Sequence, residues 1–479
     1  MTRYNHFIGG DWVAPATKTW FEAIDPSNGQ AFAELPRGST PDVDAGVLAA
    51  RAAFPAWAAR DALERGRILS RIAQRITREA DNLTHIESID TGKPLSQARA
   101  DVLVAARYFE FYAGAVDKFG GETIPVPGPF LNYTLREPLG VVAHIIPWNY
   151  PLQIGSRAIA APLAVGNTVV LKPAEEASVS LFTLARICAE EGVPPGVVNV
   201  IAGIGEEAGA PLAAHPGINH VTFTGSLEVG RRVAQAAAAN VVPVTMELGG
   251  KSPHIVFSSA DLDRAVPIIL RSFIQNAGQT CSAGSRILVD NRIKRELVER
   301  LTEEVGRLSI GPGPSDPDLG PLISERQKER VQHYIQLARQ RGATIREGLL
   351  GTESQGFFVA ATLLDGVLPD NPVFHEEIFG PVASITGFSS ESEAVELANA
   401  TEYGLVSAVW TKDVAQAHRV ATKVQTGQVF INSYGAGGGV EMPFGGYRHS
   451  GYGREKGMEA LYHYTQVKNV AVFMDGQED

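Results

Sequence analysis

Two hydrophobic periodicities divide the chain into helices and strands. Between residues 63 and 89, Leu and Ile recur at near-helical spacing among Arg, Glu and Asp, which predicts one amphipathic helix or a broken pair. A second helix is predicted from about Ser96 to Lys118, and residues 90 to 94 predict the stop and turn between the two. Before residue 60 the pattern shows only short strand-like and turn-like pieces.

Strands and helices alternate from about residue 139 to residue 450. The first half of this stretch contains five predicted strands, at Val141–Ile146, Thr168–Lys172, Val197–Ile201, His220–Phe223 and Val241–Met246. The second half adds Ile255–Phe257, Ile287–Val289, Val382–Ile385, Ser407–Trp410 and Val429–Ile431. Apolar strands that alternate with helices indicate a parallel sheet covered on both faces. The predicted fold class is therefore α/β with two successive sheets, and ligands are expected at the carboxyl ends of the strands.

Two segments lie outside this alternation. Residues 119–138 are punctuated by Gly and Pro and contain a strand-like stretch, which indicates a linker or a projecting arm, with an ordinary surface loop as the alternative. The tail from about residue 460 is also strand-like. Exposed strands have unpaired edges that invite pairing with another chain, so both segments are candidates for contacts between subunits.

Composition narrows the class of protein. A chain of 479 residues predicts two or three domains, and its net charge of −11 argues against a general nucleic-acid binder. Two cysteines far apart do not form a disulfide framework, which favours a reducing compartment. The N-terminus has no apolar run of signal-peptide length, and no segment approaches the length of a membrane span. We expect a cytoplasmic protein without a membrane partner.

The two cysteines differ in their surroundings. Cys281 lies among small and polar residues, in the segment Asn276–Arg286, which leaves room for a ligand to approach the sulfur. A thiolate there would be a strong nucleophile, and a small buried core residue is the alternative. Cys188 lies on an apolar helical stripe and is interpreted as a packing residue.

Several chemical signatures are missing or incomplete. There is no CxxC, no HExxH and no other clustered metal-ligand spacing, so no metal site is predicted. There is no GxSxG elbow, and Gly249–Ser252 matches only the end of a phosphate loop. Gly203–Ala208 follows a strand and fits a degenerate GxGxxA dinucleotide fingerprint, which is a weak signal alone.

Five polar residues are predicted at or just beyond the carboxyl ends of strands. Lys172 and Glu175 could bind the hydroxyls of a ribose, with a solvated loop as the alternative. Ser226 could cap a helix whose exposed amides hold a phosphate, or act as a cap alone. Asn149 could donate to an oxyanion or make a turn. Glu247 follows an apolar strand and could be a general base or an ion-pair partner.

Seven segments of the chain together resemble the aldehyde dehydrogenase superfamily. These segments are Ile146–Pro151, Leu171–Glu175, Phe223–Ser226, Glu247–Pro253, Gly278–Cys281, Glu376–Val382 and Pro443–Gly446. They follow the order of the family, near its spacing, and cover essentially the whole chain. The resemblance implies oxidation of an aldehyde to the carboxylic acid through a thiohemiacetal and a thioester on Cys281. The side chain of Asn149 and the Cys281 amide would hold the oxyanion, and Glu247 would activate the water that hydrolyses the thioester.

The resemblance also implies a cofactor site and a substrate pocket. The cofactor is expected to be NAD in preference to NADP, bound by Ile146, Trp148, Lys172, Glu175, Gly205, Gly225, Ser226, Leu248, Glu377 and Phe379. The substrate pocket would be formed by Tyr150, Ile154, Arg157, Gln275, Thr280, Ser282, Tyr434 and Phe444, bordered by the glycine-rich residues 435–439. The glycines suggest a medium or bulky aldehyde, aromatic ones included, whereas Arg157 suggests a semialdehyde. A betaine-type aldehyde is a further alternative.

One position departs from the family pattern. Many members have a lysine where this chain has Arg157, and that lysine is often placed in a proton relay with a glutamate that corresponds to Glu455. The relay is therefore in question here, and Arg157 is instead a candidate for shaping the substrate tunnel. A CoA-acylating enzyme and a non-enzymatic protein are the alternatives to hydrolytic oxidation. The intact set of Cys281, Asn149 and Glu247 argues against both.

The resemblance divides the chain into three parts. Residues 1–118 and 139–249 would form a Rossmann-like domain that binds NAD, and residues 250–450 a second Rossmann-like, catalytic domain that carries the nucleophile. Residues 119–138 and 460–479 would form a small β oligomerisation arm and tail, since such segments pair across subunits in the family. We expect a homodimer or a homotetramer.

Overall fold

The computed structural model describes residues 1–350, 355–435 and 439–474. The strands are β1 (Thr2–Arg3), β2 (His6–Ile8), β3 (Asp11–Val13), β4 (Trp20–Asp25), β5 (Gln30–Pro36), β6 (Phe130–Pro138), β7 (Val141–Ile146), β8 (Thr168–Pro173), β9 (Val198–Val200), β10 (His220–Thr224), β11 (Val244–Glu247), β12 (Pro253–Val256), β13 (Arg286–Asp290), β14 (Thr344–Glu347), β15 (Thr362–Asp365), β16 (Val382–Phe388), β17 (Val406–Trp410), β18 (Gln428–Ile431), β19 (Gly451–Tyr452) and β20 (Thr465–Phe473).

The helices cover both faces of the sheets. They are α1 (Thr40–Ala58), α2 (Ala62–Arg78), α3 (Ala80–Thr91), α4 (Leu95–Ala115), α5 (Pro151–Ala164), α6 (Val179–Glu190), α7 (Ala210–Ala213), α8 (Leu227–Ala238), α9 (Leu262–Ile274), α10 (Lys294–Arg307), α11 (Glu325–Gln340), α12 (Pro372–His375), α13 (Glu391–Asn399), α14 (Val414–Ala421) and α15 (Glu459–His463). Among the described residues, no helix combines the length and the apolar character needed to cross a bilayer.

The first large sheet has the strand order β19-β11-β10-β7-β8-β9-β2-β3. The five strands from β11 to β9 are parallel, and the strands that flank them are antiparallel to their neighbours. The side chains of β7, β8 and β10 are almost all enclosed, as expected for strands covered by helices on both faces. The predicted α/β class is confirmed, and β2, β3 and β19 extend the sheet from the two ends of the chain.

The second large sheet has the strand order β14-β15-β16-β13-β12-β17-β18. All of its pairings are parallel except that of β14 with β15. A separate hydrophobic cluster packs around it, from Ile255 on β12 to Val424 beyond α14. The two sheets therefore have separate cores.

The N-terminal prediction was incomplete, because a 19-residue helix, α1, precedes residue 60. Its apolar face consists of Val43, Val47 and Ala50, all enclosed, while the rest of the helix is rich in alanine and contains Pro55. Alanine contributes little contrast between the two faces, so the hydrophobic periodicity is weak. The predicted helix or broken pair at residues 63–89 is a pair, α2 and α3, that meets at Glu79.

The predicted arm and tail pair with each other rather than standing unpaired. β6 and β20 form an antiparallel two-stranded ribbon with nine residue pairs, from Pro138 with Thr465 to Phe130 with Phe473. Exposed apolar side chains on the ribbon include Leu131, Leu135, Val467 and Val472. Residues 475–479 of the predicted tail lie outside the described residues.

Candidate active site

A cavity of about 880 Å³ lies between the two sheets. The first sheet contributes residues at and after the carboxyl ends of β7, β10 and β11, as expected for a parallel sheet. The second sheet contributes Val406 and Gln428, at the amino ends of β17 and β18, and the loop before β13. The expectation that ligand-facing residues follow strands therefore describes the first sheet, whereas the second sheet lines the cavity with residues at the amino ends of strands as well as with Tyr434, after β18.

The loop that carries Cys281 begins with a strained turn. Asn276 and Ala277 have φ of +51° and +52°, and Gly278 follows with +71°. A Cβ on Gly278 would lie 2.0 Å from the carbonyl oxygen of Gly380, so only glycine fits there. Left-handed non-glycine residues cost on the order of 1–3 kcal/mol each, and they cluster at functional sites. The turn leads the chain to the wall of the cavity, which Cys281 lines in a half-buried position.

The environment of Cys281 opposes ionisation of its thiol. Burial raises the pKa of the thiol to about 12, and the carboxylates of Glu247 and Glu377 add to the rise. The cations Arg157 and Lys456 act in the opposite direction. This environment therefore favours the thiol over the thiolate at neutral pH.

Asn149 is held on its backbone and its side chain. Its amide Nδ2 donates to the carbonyl of Gln279 at 3.0 Å, which uses one of its two hydrogens. Its own carbonyl accepts from Lys93 Nζ at 3.1 Å and from Asn276 Nδ2 at 2.8 Å. Asn149 lines the same cavity as Cys281, so the second amide hydrogen is available to a ligand there.

Glu247 ends β11 inside the same cavity. The side chain is enclosed, and neither carboxylate oxygen has a hydrogen-bond partner among the residues that the structure describes. Burial, followed by the charge of Glu455, raises the pKa of Glu247 well above its ordinary value, while Arg157 opposes the rise. A carboxylate with a raised pKa and no protein partner is suited to accept a proton.

Arg157 forms an ion pair with the buried carboxylate of Glu455. Its guanidinium also donates to Thr224 Oγ1 at 3.2 Å and lies 5.9 Å from the centre of the Phe444 ring. A guanidinium keeps its proton throughout the pH range of enzymes, so Arg157 is a fixed charge and not a proton carrier. It lines the cavity, in agreement with the predicted place in the substrate tunnel.

The predicted cofactor residues form two groups. Six of them line the cavity: Trp148, Gly225, Ser226, Leu248, Glu377 and Phe379. Four lie outside the cavity lining, around the carboxyl ends of β7 and β8: Ile146, Lys172, Glu175 and Gly205. Apart from Glu377 and Phe379, which precede β16 of the second sheet, these residues lie along one edge of the first sheet, as binding of an extended dinucleotide requires.

The group inside the cavity has a defined geometry. Trp148 and Phe379 pack edge to face, with ring centres 5.3 Å apart, and Phe379 has a φ of +61°. A carboxylate oxygen of Glu377 accepts from the Gly250 N–H at 3.0 Å, and a Cβ on Gly249 would lie 2.2 Å from the other oxygen. Burial raises the pKa of Glu377 to about 7, although the Gly250 N–H opposes the rise.

The group outside the cavity contains a charged pair. Lys172 Nζ donates to Glu175 at 3.0 Å. Partial burial alone would raise the pKa of Glu175, but Lys172 and the backbone amides of Glu175 and Gly205 hold it below its ordinary value. The degenerate fingerprint after β9 forms a π-helical turn, Gly205–Gly209, and a Cβ on Gly205 would meet open space. Ser226 belongs to the group that lines the cavity. It is exposed and caps α8, where its Oγ accepts a hydrogen bond from the Val229 N–H at 3.4 Å.

All eight predicted substrate residues line the cavity: Tyr150, Ile154, Arg157, Gln275, Thr280, Ser282, Tyr434 and Phe444. The Tyr150 and Thr280 hydroxyls are 2.8 Å apart, and the Tyr434 hydroxyl donates to the Ser282 carbonyl at 2.5 Å. Gly435 and Gly439 of the predicted glycine-rich wall line it too, and residues 436–438 lie outside the described residues.

Sequence reasoning missed several residues at the site. Asp101, Gln153 and Lys456 line the cavity, and Lys93 supports it from behind. Lys93 appears in the sequence only as part of a turn, and its partner Asn149 is 56 residues away. Lys456 directly follows Glu455, the glutamate of the proton relay, and this neighbouring position is the sequence signal that could have pointed to it.

Comparison with known proteins identifies relatives along the whole chain. The family model "Aldehyde dehydrogenase family" matches residues 12–470. The chain is 41% identical to hydroxyisobutyraldehyde dehydrogenase of Mycolicibacterium austroafricanum over 473 residues, which is 98% of this chain and 94% of the relative. It is 40% identical to betaine aldehyde dehydrogenase of Bacillus subtilis (strain 168) over 472 residues, which is 97% of this chain and 96% of the relative.

Solved structures show the same similarity. A crystal structure assigned as a candidate aldehyde dehydrogenase from Burkholderia cenocepacia has a TM-score of 0.97 at 50% identity, covering 98% of this chain and 100% of the other. An NAD⁺ complex of aldehyde dehydrogenase from Bacillus cereus has a TM-score of 0.96 at 39% identity, covering 99% of this chain and 97% of the other.

Proposed function

This chain belongs to the aldehyde dehydrogenase family of oxidoreductases, and from that membership we propose that it oxidises a medium-sized or bulky aldehyde to the carboxylic acid by way of Cys281. The observation that carries the proposal is the placement of Cys281, Asn149 and Glu247 around one cavity. These residues supply a nucleophile, an oxyanion donor and a base, which are the groups that covalent oxidation and hydrolysis of an aldehyde require.

In the first half-reaction, Cys281 attacks the carbonyl carbon. The thiol releases its proton to solvent water, the sulfur–carbon bond forms, and the π electrons of the carbonyl move to its oxygen, which becomes the oxyanion of a thiohemiacetal. The Asn149 amide has a second hydrogen free of the Gln279 carbonyl, and it would stabilise this oxyanion together with the backbone amide of Cys281. The charges of Arg157 and Lys456 favour the thiolate that has to form.

The residues at the edge of the first sheet fit NAD. Lys172 and Glu175 would hold the adenosine ribose, Ser226 at the start of α8 the pyrophosphate, and Glu377 with Phe379 the nicotinamide end. When bound, NAD accepts the hydride that the substrate carbon must lose. The protein's own contribution is to hold the tetrahedral centre, and the product of this half-reaction is a thioester on Cys281.

In the second half-reaction, water hydrolyses the thioester. Glu247 would take a proton from that water, since its carboxylate has a raised pKa and no hydrogen-bond partner among the described residues. The water oxygen bonds to the acyl carbon, the carbon–sulfur bond breaks, and the carboxylic acid leaves. An intact Glu247 is the reason for preferring this hydrolytic route over acyl transfer to CoA, and the complete catalytic set argues against a non-enzymatic role.

We further propose that NAD is preferred over NADP. An ionised Glu175 can accept hydrogen bonds from both hydroxyls of a ribose, whereas it would repel a phosphate on the 2′ oxygen. The lowered pKa of Glu175 beside Lys172 keeps this carboxylate ionised at neutral pH. Lys172 could still pair with a phosphate, so we expect a preference and not exclusion.

The proposed substrate is a neutral aldehyde with an apolar or aromatic body. The walls of the cavity include the rings of Tyr150, Phe430, Tyr434 and Phe444. A semialdehyde is disfavoured because the guanidinium of Arg157 is already paired with Glu455 and is not offered to a substrate carboxylate. A betaine-type aldehyde is the alternative to this proposal, because carboxylates line the cavity as well as the cations Arg157 and Lys456.

The domain and subunit organisation is part of the same proposal. The first sheet, with residues 1–118 and 139–249, would bind NAD, and residues 250–450 would carry the nucleophile. The ribbon of β6 and β20 exposes apolar side chains and an outer strand edge, which supports its use in a homodimer or homotetramer. We propose a cytoplasmic location. Light scattering at micromolar concentration should show a dimer or a tetramer, and a monomer would contradict the subunit proposal.

A panel of aldehydes with NAD tests the proposed reaction. We expect NADH to form with neutral aromatic or branched aldehydes at a higher kcat/KM than with betaine aldehyde or with a semialdehyde of similar length. A higher kcat/KM for betaine aldehyde would overturn the substrate proposal while leaving the reaction intact. Absence of NADH formation with every aldehyde, in a protein that binds NAD, would overturn the reaction itself.

A further inference from the structure

Lys93 is a fully enclosed cation that the proposed chemistry does not use. It ranks among the largest side chains with less than 2% exposure. The backbone around it is fixed, because Gly92 ends α3 with a φ of +75° and Ser88 Oγ donates to the Lys93 carbonyl at 2.6 Å. Enclosing an ammonium group is costly unless nearby groups compensate for the lost water, so its partners should indicate its role.

The Lys93 ammonium contacts four groups. It forms an ion pair with the carboxylate of Asp101 and lies 3.7 Å from a carboxylate oxygen of Glu87. It lies 4.2 Å from the centre of the Tyr150 ring. It also donates to the backbone carbonyl of Asn149 at 3.1 Å. Lys93 therefore joins acidic side chains of α3 and α4 to the peptide of the proposed oxyanion donor.

The carbonyl of Asn149 accepts a second hydrogen bond from the opposite side. Asn276 Nδ2, in the left-handed turn before Cys281, donates to it at 2.8 Å. Asn276 Nδ2 also lies 3.3 Å from the Gln279 carbonyl, the oxygen to which the Asn149 side chain donates at 3.0 Å. One carbonyl is thus held between a cation from the first sheet's helices and an amide from the cysteine loop. Loss of either donor would leave this carbonyl with a single hydrogen bond and allow the Asn149 peptide to shift.

The positive charge of Lys93 is not by itself what the network supplies to the site. Asp101 neutralises the ammonium at contact distance, and Gln153 Nε2 donates to the other oxygen of the same carboxylate at 3.3 Å. What the network contributes is therefore the directed hydrogen bond from Lys93 Nζ to the Asn149 carbonyl. Asp101 and Gln153 also line the cavity, which places the network directly behind the substrate wall.

We propose that Lys93 is a positioning residue that holds the Asn149 peptide, so that the Asn149 amide points to the oxyanion formed next to Cys281. The inference rests on the proposed function, because it assumes that Asn149 stabilises that oxyanion. Lys93 acts through Asn149 and contacts neither the substrate nor the reacting atoms. Its removal should therefore lower kcat without weakening NAD binding.

A double-mutant cycle tests this coupling. Asn149→Ala is expected to lower kcat about 10²–10³-fold, the usual cost of losing an oxyanion donor. Lys93→Met is expected to lower kcat by about tenfold or more, because the Asn149 amide would still be present but would no longer be held in place. The double variant should have the same kcat as Asn149→Ala alone, because Lys93 then has nothing left to position. The dissociation constant of NAD, followed by protein fluorescence, should change by less than about twofold in Lys93→Met, well below the loss in kcat.

Lys251→Met is the matched control. Lys251 is also less than 2% exposed, and its Nζ has no hydrogen-bond partner among the described residues. Lys251 interacts with the charge of Glu377 and makes no described hydrogen bond to Asn149, so its effect on kcat should multiply with that of Asn149→Ala. If Lys93→Met does not fold, Asp101→Asn replaces it, since it keeps the side-chain volume but weakens the hold on the ammonium.

Each outcome distinguishes this inference from the proposed function. Multiplicative losses in the double variant, like those of the Lys251 control, would overturn the positioning role while leaving Asn149 as an oxyanion donor. A wild-type kcat in Lys93→Met, or in Asp101→Asn where that variant is used, would also overturn it. A kcat for Asn149→Ala within about twofold of wild type, far short of the loss of a donor, would refute the role of Asn149 itself.

Discussion

Two segments of this chain carry a cysteine, and they are built in opposite ways. Cys188 lies on α6, a regular helix that directly follows β8 and the Lys172–Glu175 pair, and its side chain is enclosed in the core. Cys281 lies in an irregular loop, after three consecutive left-handed residues, on the wall of the cavity. In the first segment, a regular strand and helix bring the proposed ribose-binding pair to the edge of a sheet. In the second, the candidate nucleophile follows a strained turn of the backbone.

The acidity of the two thiols does not distinguish them. Burial raises the pKa of Cys188 above its ordinary value, and burial also raises that of Cys281, to about 12. The difference lies in the remaining causes. Among the described residues, burial alone acts on Cys188, whereas the charges of Glu247, Glu377, Arg157 and Lys456 all act on Cys281. A ligand in the cavity can change the balance at Cys281, whereas Cys188 is enclosed in the core, so access and neighbouring charges favour Cys281 as the proposed nucleophile.

The largest expected effect comes from exchanging the two cysteines for alanine. Cys281→Ala should lower turnover by at least about 10⁴-fold, because no other group forms the covalent intermediate, and it should still bind NAD. Cys188→Ala should lower the free energy of unfolding by about 1 kcal/mol and keep the wild-type kcat. Steady-state kinetics, NAD titration and thermal unfolding of both variants measure this contrast. Loss of turnover in Cys188→Ala with retained stability would reverse the assignment.

Glu247→Gln should separate the two half-reactions. Formation of the thioester does not require this base once the thiolate exists, but hydrolysis does, and loss of a general base typically costs about 10²–10⁴-fold. We expect a burst of NADH near one equivalent per active site, followed by a slow steady state. Intact-mass spectrometry should then find an acyl group on the peptide that contains Cys281. Turnover at the wild-type rate without this adduct would show that Glu247 is structural.

The same comparison explains how much could be predicted from the sequence. The strands β7, β8 and β10 are continuous apolar runs, so their ends are visible in the sequence pattern. Residues after β7 and β10 line the cavity, whereas Lys172 and Glu175, at the end of β8, lie outside its lining. The left-handed turn at Asn276 and Ala277 has no such pattern, because hydrogen bonds to distant residues hold it. The contact of Lys93 with Asn149 is invisible for the same reason.

Two further differences have physical causes of their own. Helix α1 was missed because alanine gives weak contrast between its faces. The Arg157–Glu455 ion pair joins residues almost 300 positions apart. Both residues could be singled out from the sequence, but an ion pair between them could not be predicted. Sequence patterns thus report local periodicity well, whereas pairings between distant segments require the folded structure.

A smaller effect is expected at the regular segment, where Glu175 follows β8. Glu175→Ala should narrow the preference for NAD over NADP, since it removes the charge that opposes a 2′-phosphate. The expected change in the ratio of kcat/KM values is about 5–150-fold, equivalent to about 1–3 kcal/mol. Kinetics with both cofactors at several concentrations measure it, and Glu176→Ala, one position along, is the control. A wild-type preference for NADP would refute the proposed role of Glu175 and the cofactor proposal with it.

The smallest expected effect concerns the pH dependence of labelling at Cys281, with Cys188 as the internal control. Iodoacetamide reacts with the thiolate, so the labelling rate of Cys281 should rise with pH towards its raised pKa, and Cys188 should stay unlabelled in the folded protein. The carboxylate of Glu247 contributes to that raised pKa only when it is ionised. The pKa of Glu247 is raised well above its ordinary value, so Glu247 is a neutral carboxylic acid at the acidic end of the titration. Glutamine closely mimics that neutral form.

The sign of the difference between wild type and Glu247→Gln then depends on pH. At low pH the two proteins should label at the same rate. Above the pKa of Glu247, the variant lacks a negative charge next to the forming thiolate, so its Cys281 should label several-fold faster than in wild type. Peptide mass spectrometry of samples quenched over time, at a series of pH values, measures both rates. Slower labelling in the variant would mean that Glu247 takes the thiol proton, and the carboxylate would then serve both half-reactions instead of hydrolysis alone.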